Sequence, residues 1–161
     1  MASVLVPLAQ GCEELEAVTV VDLLRRAGIE VVTAGLDDQP VRASRGVTLI
    51  PDVTLDEALQ RDYAMVVLPG GLPGADHLKN DARIIRLLVQ MKEADKYTAA
   101  ICAAPGVLAE AGLLEGKRAT SFPGSMDAGS VPGLEYVEQP VVTDGKVITS
   151  RGPGTAMDFA L

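Results

Sequence analysis

The chain has 161 residues, 48% of them apolar and 22% charged, which suits one globular domain with a buried core and excludes disorder. Lys and Arg number 14 against 22 Asp and Glu, and the net charge of −8 argues against a nucleic-acid partner. Two cysteines are too few for a disulfide framework and point to the reducing cytoplasm, and no apolar run reaches membrane-spanning length.

The opening MASVLVPLAQ lacks a basic n-region, so Ser3 to Leu8 is predicted as a strand rather than a signal peptide. Leu15 to Ala27 carries apolar residues at helical spacing and ends at Gly28, a natural C′ residue. Ile29 to Ala34 is β-branched, which makes the opening a β-α-β unit with parallel strands and a right-handed crossover. Gly35 to Pro40 is a polar turn, Val47 to Ile50 a short strand, and Leu55 to Gln60 one or two helical turns.

Tyr63 to Leu68 is a continuous apolar run of the kind buried on both faces of a parallel sheet, and it stops at Pro69-Gly70-Gly71. Asp81 to Lys92 is predicted helical, with Ile84, Ile85, Leu88 and Met91 on one face. Thr98 to Ile101 is a further buried strand, followed by a helix that runs to Gly112. A short strand near Arg118 to Ser121 leads into a Pro- and Gly-containing loop. Tyr136 to Val142 and Lys146 to Ser150 flank Asp144-Gly145, a two-residue hairpin turn. Thr155 to Leu161 opens a helix that reads as cut short. The alternation predicts a single domain over 1–161, a flavodoxin-like α/β three-layer sandwich with a mostly parallel central sheet. Sites in such sheets lie beyond the strand C-terminal ends, here the loops at 10–16, 69–74 and 102–105.

Cys102 sits between a small-residue strand and Pro105, which suits the first helical turn. That is the layout of a nucleophile elbow, and a helix N-terminus behind the sulfur would favour the thiolate. A small buried hydrophobe is the alternative reading of the same residue. Three carboxylates, Glu13, Glu14 and Glu16, follow the first strand; the first two suit a helix start, and Glu16 is the candidate for pointing inward. A protonated Glu16 donating to a thiolate would stabilise it and shuttle a proton. The N–H groups of Gly70 and Gly71 are candidates for an anion-binding nest, with a plain turn as the other reading. His77 is the sole histidine and reads as a surface or packing residue, so neither a Cys-His hydrolase nor a zinc site is supported. No nucleotide-binding glycine motif is present, and no cofactor or metal is expected.

The segments GCEELE, VVLPGG, AAICAAPG and SRGPGT occur in one order and spacing that resembles the ThiJ/PfpI superfamily, in the branch of the Parkinson's-associated cysteine deglycase and its bacterial YajL-like relatives. The likeness extends over essentially the whole chain. It implies Cys102 as nucleophile, Glu16 as the carboxyl that hydrogen-bonds it, and the N–H groups of Gly70, Gly71 and Ala103 as oxyanion donors. It further implies Arg26, Arg45 and Pro153 at the substrate, one arginine crossing the interface of a homodimer. Ala103 stands where the proteolytic branch has a histidine, so peptidase activity is not expected. Phe122 stands where some relatives carry another histidine. The family continues through a further helix beyond the position of Leu161, and Cys12 is a candidate resolving thiol.

Two functions follow from the resemblance. One is a glyoxalase or deglycase acting on small aldehydes or glycated protein, through a Cys102 hemithioacetal with Glu16 as proton shuttle. The other is an oxidative-stress sensor or redox chaperone in which Cys102 is oxidised to the sulfinate. An inert domain with a buried Cys102 is the third reading.

Overall fold

The computed structural model describes residues 2–161. In chain order the elements are β1 (Ser3–Leu8), α1 (Glu14–Arg26), β2 (Glu30–Gly35), β3 (Val41–Arg42), β4 (Thr48–Leu49), β5 (Val53–Thr54) and α2 (Leu55–Ala58). Next come β6 (Met65–Leu68), α3 (Gly74–Lys79), α4 (Ala82–Glu93), β7 (Tyr97–Ile101), α5 (Pro105–Glu110) and β8 (Arg118–Ala119). The chain closes with β9 (Glu135–Tyr136), β10 (Val141–Asp144), β11 (Val147–Ser150) and α6 (Ala156–Ala160).

Seven strands form one sheet in the order β10-β11-β7-β6-β1-β2-β5. All neighbours run parallel except the β10–β11 hairpin at the edge, so the predicted flavodoxin-like sandwich is the observed fold. Period-2 alternation assigns the faces. Val4, Val6 and Leu8 of β1 pack with Ala17 and Val20 of α1 and with Phe159 of α6. Leu5, Val66, Leu68 and Ala100 face the other way, onto α2, α4 and α5.

The connection after β1 turns toward β2, while β6 lies on the other side of β1. The loops after β1 and β6 therefore separate at this point, the topological switch where α/β sheets hold their sites. The gap between them is narrow. The N–H of Glu13 donates to the Gly70 carbonyl at 2.9 Å, and a Cβ on Gly71 would lie 2.5 Å from Glu13 N.

Three sequence expectations are corrected. The hairpin strand starts at Val141, not Tyr136, because Pro140 interrupts it and Glu135–Tyr136 pair instead with Arg118–Ala119 in a separate two-stranded sheet. The apolar face of α4 buries Ile84, Leu87, Leu88 and Met91, with Ile85 only half-buried. The third is the strand expected over Val47 to Ile50, which is only Thr48–Leu49 and pairs with β3 outside the main sheet; His77 is exposed on α3. Among the described residues no helix is long and apolar enough to cross a membrane.

Candidate active site

Cys102 follows β7 with φ +64, a left-handed backbone that side chains other than glycine rarely adopt. Hydrogen bonds on all sides hold it there. Its N–H donates to the Ser150 carbonyl of β11 at 3.0 Å, and its carbonyl accepts from Phe122 N–H at 2.8 Å. Pro105 begins α5 three residues later, as expected. The strained turn presents the sulfur at the sheet's C-terminal edge, where it is 9% exposed.

Glu16 reaches the same point from the first turn of α1. Glu13 is the N-cap of that helix, and its Oε2 accepts the Glu16 N–H at 3.0 Å. The Glu16 carboxyl is fully buried and converges with Cys102 on Gly70, where a Cβ would lie 2.8 Å from Glu16 Oε1 and 2.5 Å from Cys102 Cβ. Its Oε1 accepts the Gly70 N–H at 2.9 Å, and its Oε2 is buried and accepts no hydrogen bond among the described residues. Burial of the carboxylate pushes its pKa up to about 7, against the Gly70 N–H that opposes the shift.

Gly70 is therefore not a free oxyanion donor. Its N–H was expected to face the sulfur, but the incoming carboxyl of Glu16 takes it. The Gly71 and Ala103 N–H groups act on the Cys102 thiol in the direction that lowers its pKa. Gly70 serves the site through its missing side chain: a Cβ there would lie 2.5 Å from Cys102 Cβ, 2.6 Å from Ile101 O and 2.8 Å from Glu16 Oε1. Gly71 adopts φ +87, so both successive glycines are required, for different reasons.

The cysteine pKa also departs from the sequence argument. A helix N-terminus was expected to lower it. Burial instead raises it to about 11, with the Glu16 charge adding to the rise and the Gly71 and Ala103 N–H groups opposing it. A six-residue helix does not offset that desolvation. The two groups titrate as a pair, which holds one proton between pH values of about 7 and about 11.

The other expected residues divide. Pro153 is exposed on the loop after β11, three residues from Ser150. Arg45 is exposed on the β3–β4 turn beside the start of α1. Arg26 is elsewhere: it is ten residues beyond Glu16 on α1, about 15 Å along the axis at helical rise, and pairs with Asp22 at 2.7 Å. Cys12 is buried in the apolar cluster under α1, where burial and Glu14 push its thiol up to about 12. Both cysteines are free.

Two features escaped the sequence reading. Glu14 was taken as a helix-start acid, but its carboxylate accepts from the N–H groups of Arg45 and Val47 and from the Ser44 hydroxyl, all at 2.9–3.1 Å. It fastens the β3–β4 turn to α1, and those bonds hold its pKa below the usual range. Arg151 donates from Nε to the Ser121 carbonyl at 3.1 Å, while Ser121 Oγ lies 3.1 Å from Tyr136 OH. Nothing in the local spacing of the sequence announces either set of partners. Among the described residues no group of three His, Cys, Asp or Glu side chains is placed to hold a metal ion.

The chain as a whole is similar to known proteins. A model of the DJ-1/PfpI family matches residues 2–161. The chain belongs to the DJ-1/PfpI family. Among DJ-1 relatives, Drosophila melanogaster dj-1beta is 46% identical over 161 residues, covering 99% of this chain and 86% of that protein. DJ-1 homolog B of Arabidopsis thaliana is 45% identical over 160 residues, 98% of this chain, which spans only 36% of that longer protein. The Caenorhabditis elegans glutathione-independent glyoxalase DJR-1.2 is 35% identical, covering 99% of this chain and 84% of its own. Among DJ-1 crystal structures, Drosophila DJ-1beta superposes with a TM-score of 0.93 at 45% identity, covering 99% of this chain and 86% of that one. Oxidized Toxoplasma gondii DJ-1 gives 0.91 at 39% identity, covering 99% and 87%.

Proposed function

We propose that the protein is a cysteine-dependent glyoxalase and deglycase, acting on glyoxal, methylglyoxal or their early adducts with protein amines and thiols. The observation that carries this reading is the convergence of the buried Glu16 carboxyl and Cys102 on Gly70, where a Cβ would lie 2.8 Å from Glu16 Oε1 and 2.5 Å from Cys102 Cβ. The DJ-1 relative named as a glyoxalase supports it.

The chemistry passes two protons in turn through Glu16, first that of the thiol and then that of the aldehyde carbon. Glu16 takes the first from the thiol as Cys102 sulfur attacks the aldehyde carbon, and the carbonyl π pair moves onto oxygen beside the Gly71 and Ala103 donors. Returning the proton to that oxygen gives the hemithioacetal. Glu16 then removes the hydrogen of the former aldehyde carbon as a proton while the ketone oxygen takes the proton of the hemithioacetal hydroxyl, giving an enediolate, and Glu16 delivers its proton to the neighbouring carbon. The first carbon is oxidised to a thioester and the second reduced to an alcohol, so no external oxidant is needed. Water breaks the carbon–sulfur bond and releases a 2-hydroxy acid, lactate from methylglyoxal. No step calls for a cofactor.

The working unit in this reading is a homodimer in the reducing cytoplasm. Leu15, Val18, Val47 and Ile50 are exposed large apolar side chains on α1 and the β3–β4 segment, Ile50 by 82%. They adjoin a hollow of about 610 Å³ lined also by Arg25 and Arg26, a surface suited to a second copy of the chain. Arg26 then belongs to the interface, and Arg45 sits where the interface meets the site. Ile50→Glu is expected to yield monomers by sedimentation; an unchanged dimer would remove this face from consideration.

The test of the enzyme reading is methylglyoxal consumption with the product identified. Wild type is expected to form lactate, and Cys102→Ser and Glu16→Gln to lose that activity by roughly 10³-fold or more. Folded wild type without turnover would sink the proposal. A second reading is then favoured by the oxidized state of the Toxoplasma relative: a peroxide sensor whose Cys102 gains two oxygens under mild peroxide, visible by intact mass.

A further inference from the structure

Phe122 is one of two phenylalanines in the chain, and it stands 47% exposed beside the nucleophile. An exposed apolar side chain alone means little. Here, however, the residue is held from several sides. Its N–H donates to the Cys102 carbonyl at 2.8 Å, and its own carbonyl accepts from Ser125 N–H at 3.0 Å and Ser125 Oγ at 2.7 Å. The preceding carbonyl, of Ser121, accepts from Arg151 Nε and from Tyr136 OH, both at 3.1 Å. The ring lies against Gly152, where a Cβ would come within 3.3 Å of ring atom Cδ2. Gly152 is two residues beyond Ser150, whose carbonyl holds the Cys102 N–H. The backbone of Phe122 is thus tied to Cys102, and its ring to the segment that follows β11.

Leu72, which follows directly on Gly71, is 61% exposed. A rigid, half-exposed ring costs little entropy when a flat apolar group stacks on it, and aromatic pairs gain beyond simple area.

We propose that Phe122 is the specificity wall of the site and that it selects 2-oxoaldehydes carrying an apolar or aromatic substituent over glyoxal. This inference rests on the reading of Cys102 as the reactive thiol and deepens the proposed reaction by naming its preferred substrate class. The ring receives the substituent on the ketone carbon, while the aldehyde carbon meets the sulfur.

Two measurements on the full chain separate the wall from the reaction. The first is alkylation of Cys102 by iodoacetamide and by its N-phenyl derivative, followed at the Cys102 peptide so that Cys12 does not contribute. In wild type the phenyl-to-plain rate ratio is expected to exceed that of glutathione by roughly five- to tenfold. Phe122→Ala should return it to the glutathione value, and Phe122→Leu should fall between. The second is the ratio of kcat/KM for phenylglyoxal over glyoxal, expected to fall by a similar factor in Phe122→Ala. A phenyl-to-plain ratio that is unchanged in Phe122→Ala would overturn the wall, as would equal loss for both reagents. If that ratio falls while neither aldehyde is turned over by wild type, the wall stands and the glyoxalase reading fails.

Discussion

The molecule holds two buried free cysteines at the same end of its sheet, and their surroundings are opposite. Cys102 sits on a left-handed turn, with two backbone N–H groups favouring its thiolate and a carboxyl able to exchange a proton with it. Cys12 lies in the apolar cluster under α1, with three glutamates contributing nothing but repulsion of a thiolate. Burial raises both, to about 11 and about 12. Reactivity therefore does not follow from a low resting pKa. It follows from whether a neighbouring base can take the proton while donors hold the charge that results, and only Cys102 has both.

Each cysteine is closely approached by a glycine, which makes the comparison breakable by a pair of single substitutions. A Cβ on Gly70 would lie 2.5 Å from Cys102 Cβ, and one on Gly74 would lie 2.7 Å from Cys12 Cα. Both Gly70→Ala and Gly74→Ala are expected to cost about 1–3 kcal/mol of stability through overpacking. Only Gly70→Ala displaces the nucleophile against Glu16, and a shift of that size near the chemistry lowers turnover by roughly 10²-fold. Denaturant melts beside methylglyoxal kinetics check this; equal kinetic losses in the two variants would mean that the Cys102 side of the comparison carries no special geometry.

Protonation offers a smaller and sharper difference. Glu16 has a folded pKa of about 7 against an ordinary 4.5, so the folded protein keeps a proton that the unfolded chain gives up in between. Stability is expected to be highest below pH 4.5 on this account and to fall as pH rises to about 7, by about 3 kcal/mol, with no further contribution above. Glu16→Gln should flatten that slope in chemical denaturation. The rate of Cys102 alkylation should rise through about pH 7 in wild type, as the pair loses the first of its two protons, and lose that step in Glu16→Gln. A step that survives in Glu16→Gln would assign it to another group.

What the sequence made legible follows the range over which each signal acts. β1, α1, α4 and the strand before Cys102 were readable because periodicity and caps are local, and the parallel run of the sheet followed from the βαβ alternation. The Cys102 elbow was readable for the same reason: small residues and Pro105 lie within four positions of it. The partner of Gly70 was not, because Glu16 is 54 residues away and the choice between sulfur and carboxyl is made only when α1 docks. Glu14 stands in the first turn of α1 as expected, but its partners were not legible, since the N–H groups it binds lie 31 and 33 residues on. Arg26 shows the converse: ten residues beyond Glu16 on a helix the sequence predicts, it already stands about 15 Å along the axis from it, and only the resemblance brought it to the site.

Cys12→Ala should produce the smallest effect and decides whether the two cysteines ever act together. The side chain is 1% exposed, so removing its sulfur leaves a small void and is expected to destabilise by about 1 kcal/mol. Methylglyoxal turnover should stay within about twofold of wild type, because no step of the proposed chemistry passes through this thiol. Under peroxide, peptide mapping should find Cys102 carrying oxygen and Cys12 as the free thiol in wild type. A resolving role requires a Cys12 thiolate to attack oxidised Cys102, and a thiol held at about 12 by burial and Glu14 supplies almost none near neutral pH. A Cys12–Cys102 disulfide under those conditions would overturn the distinction, because it would require α1 and the Gly74 turn to part before the chemistry occurs.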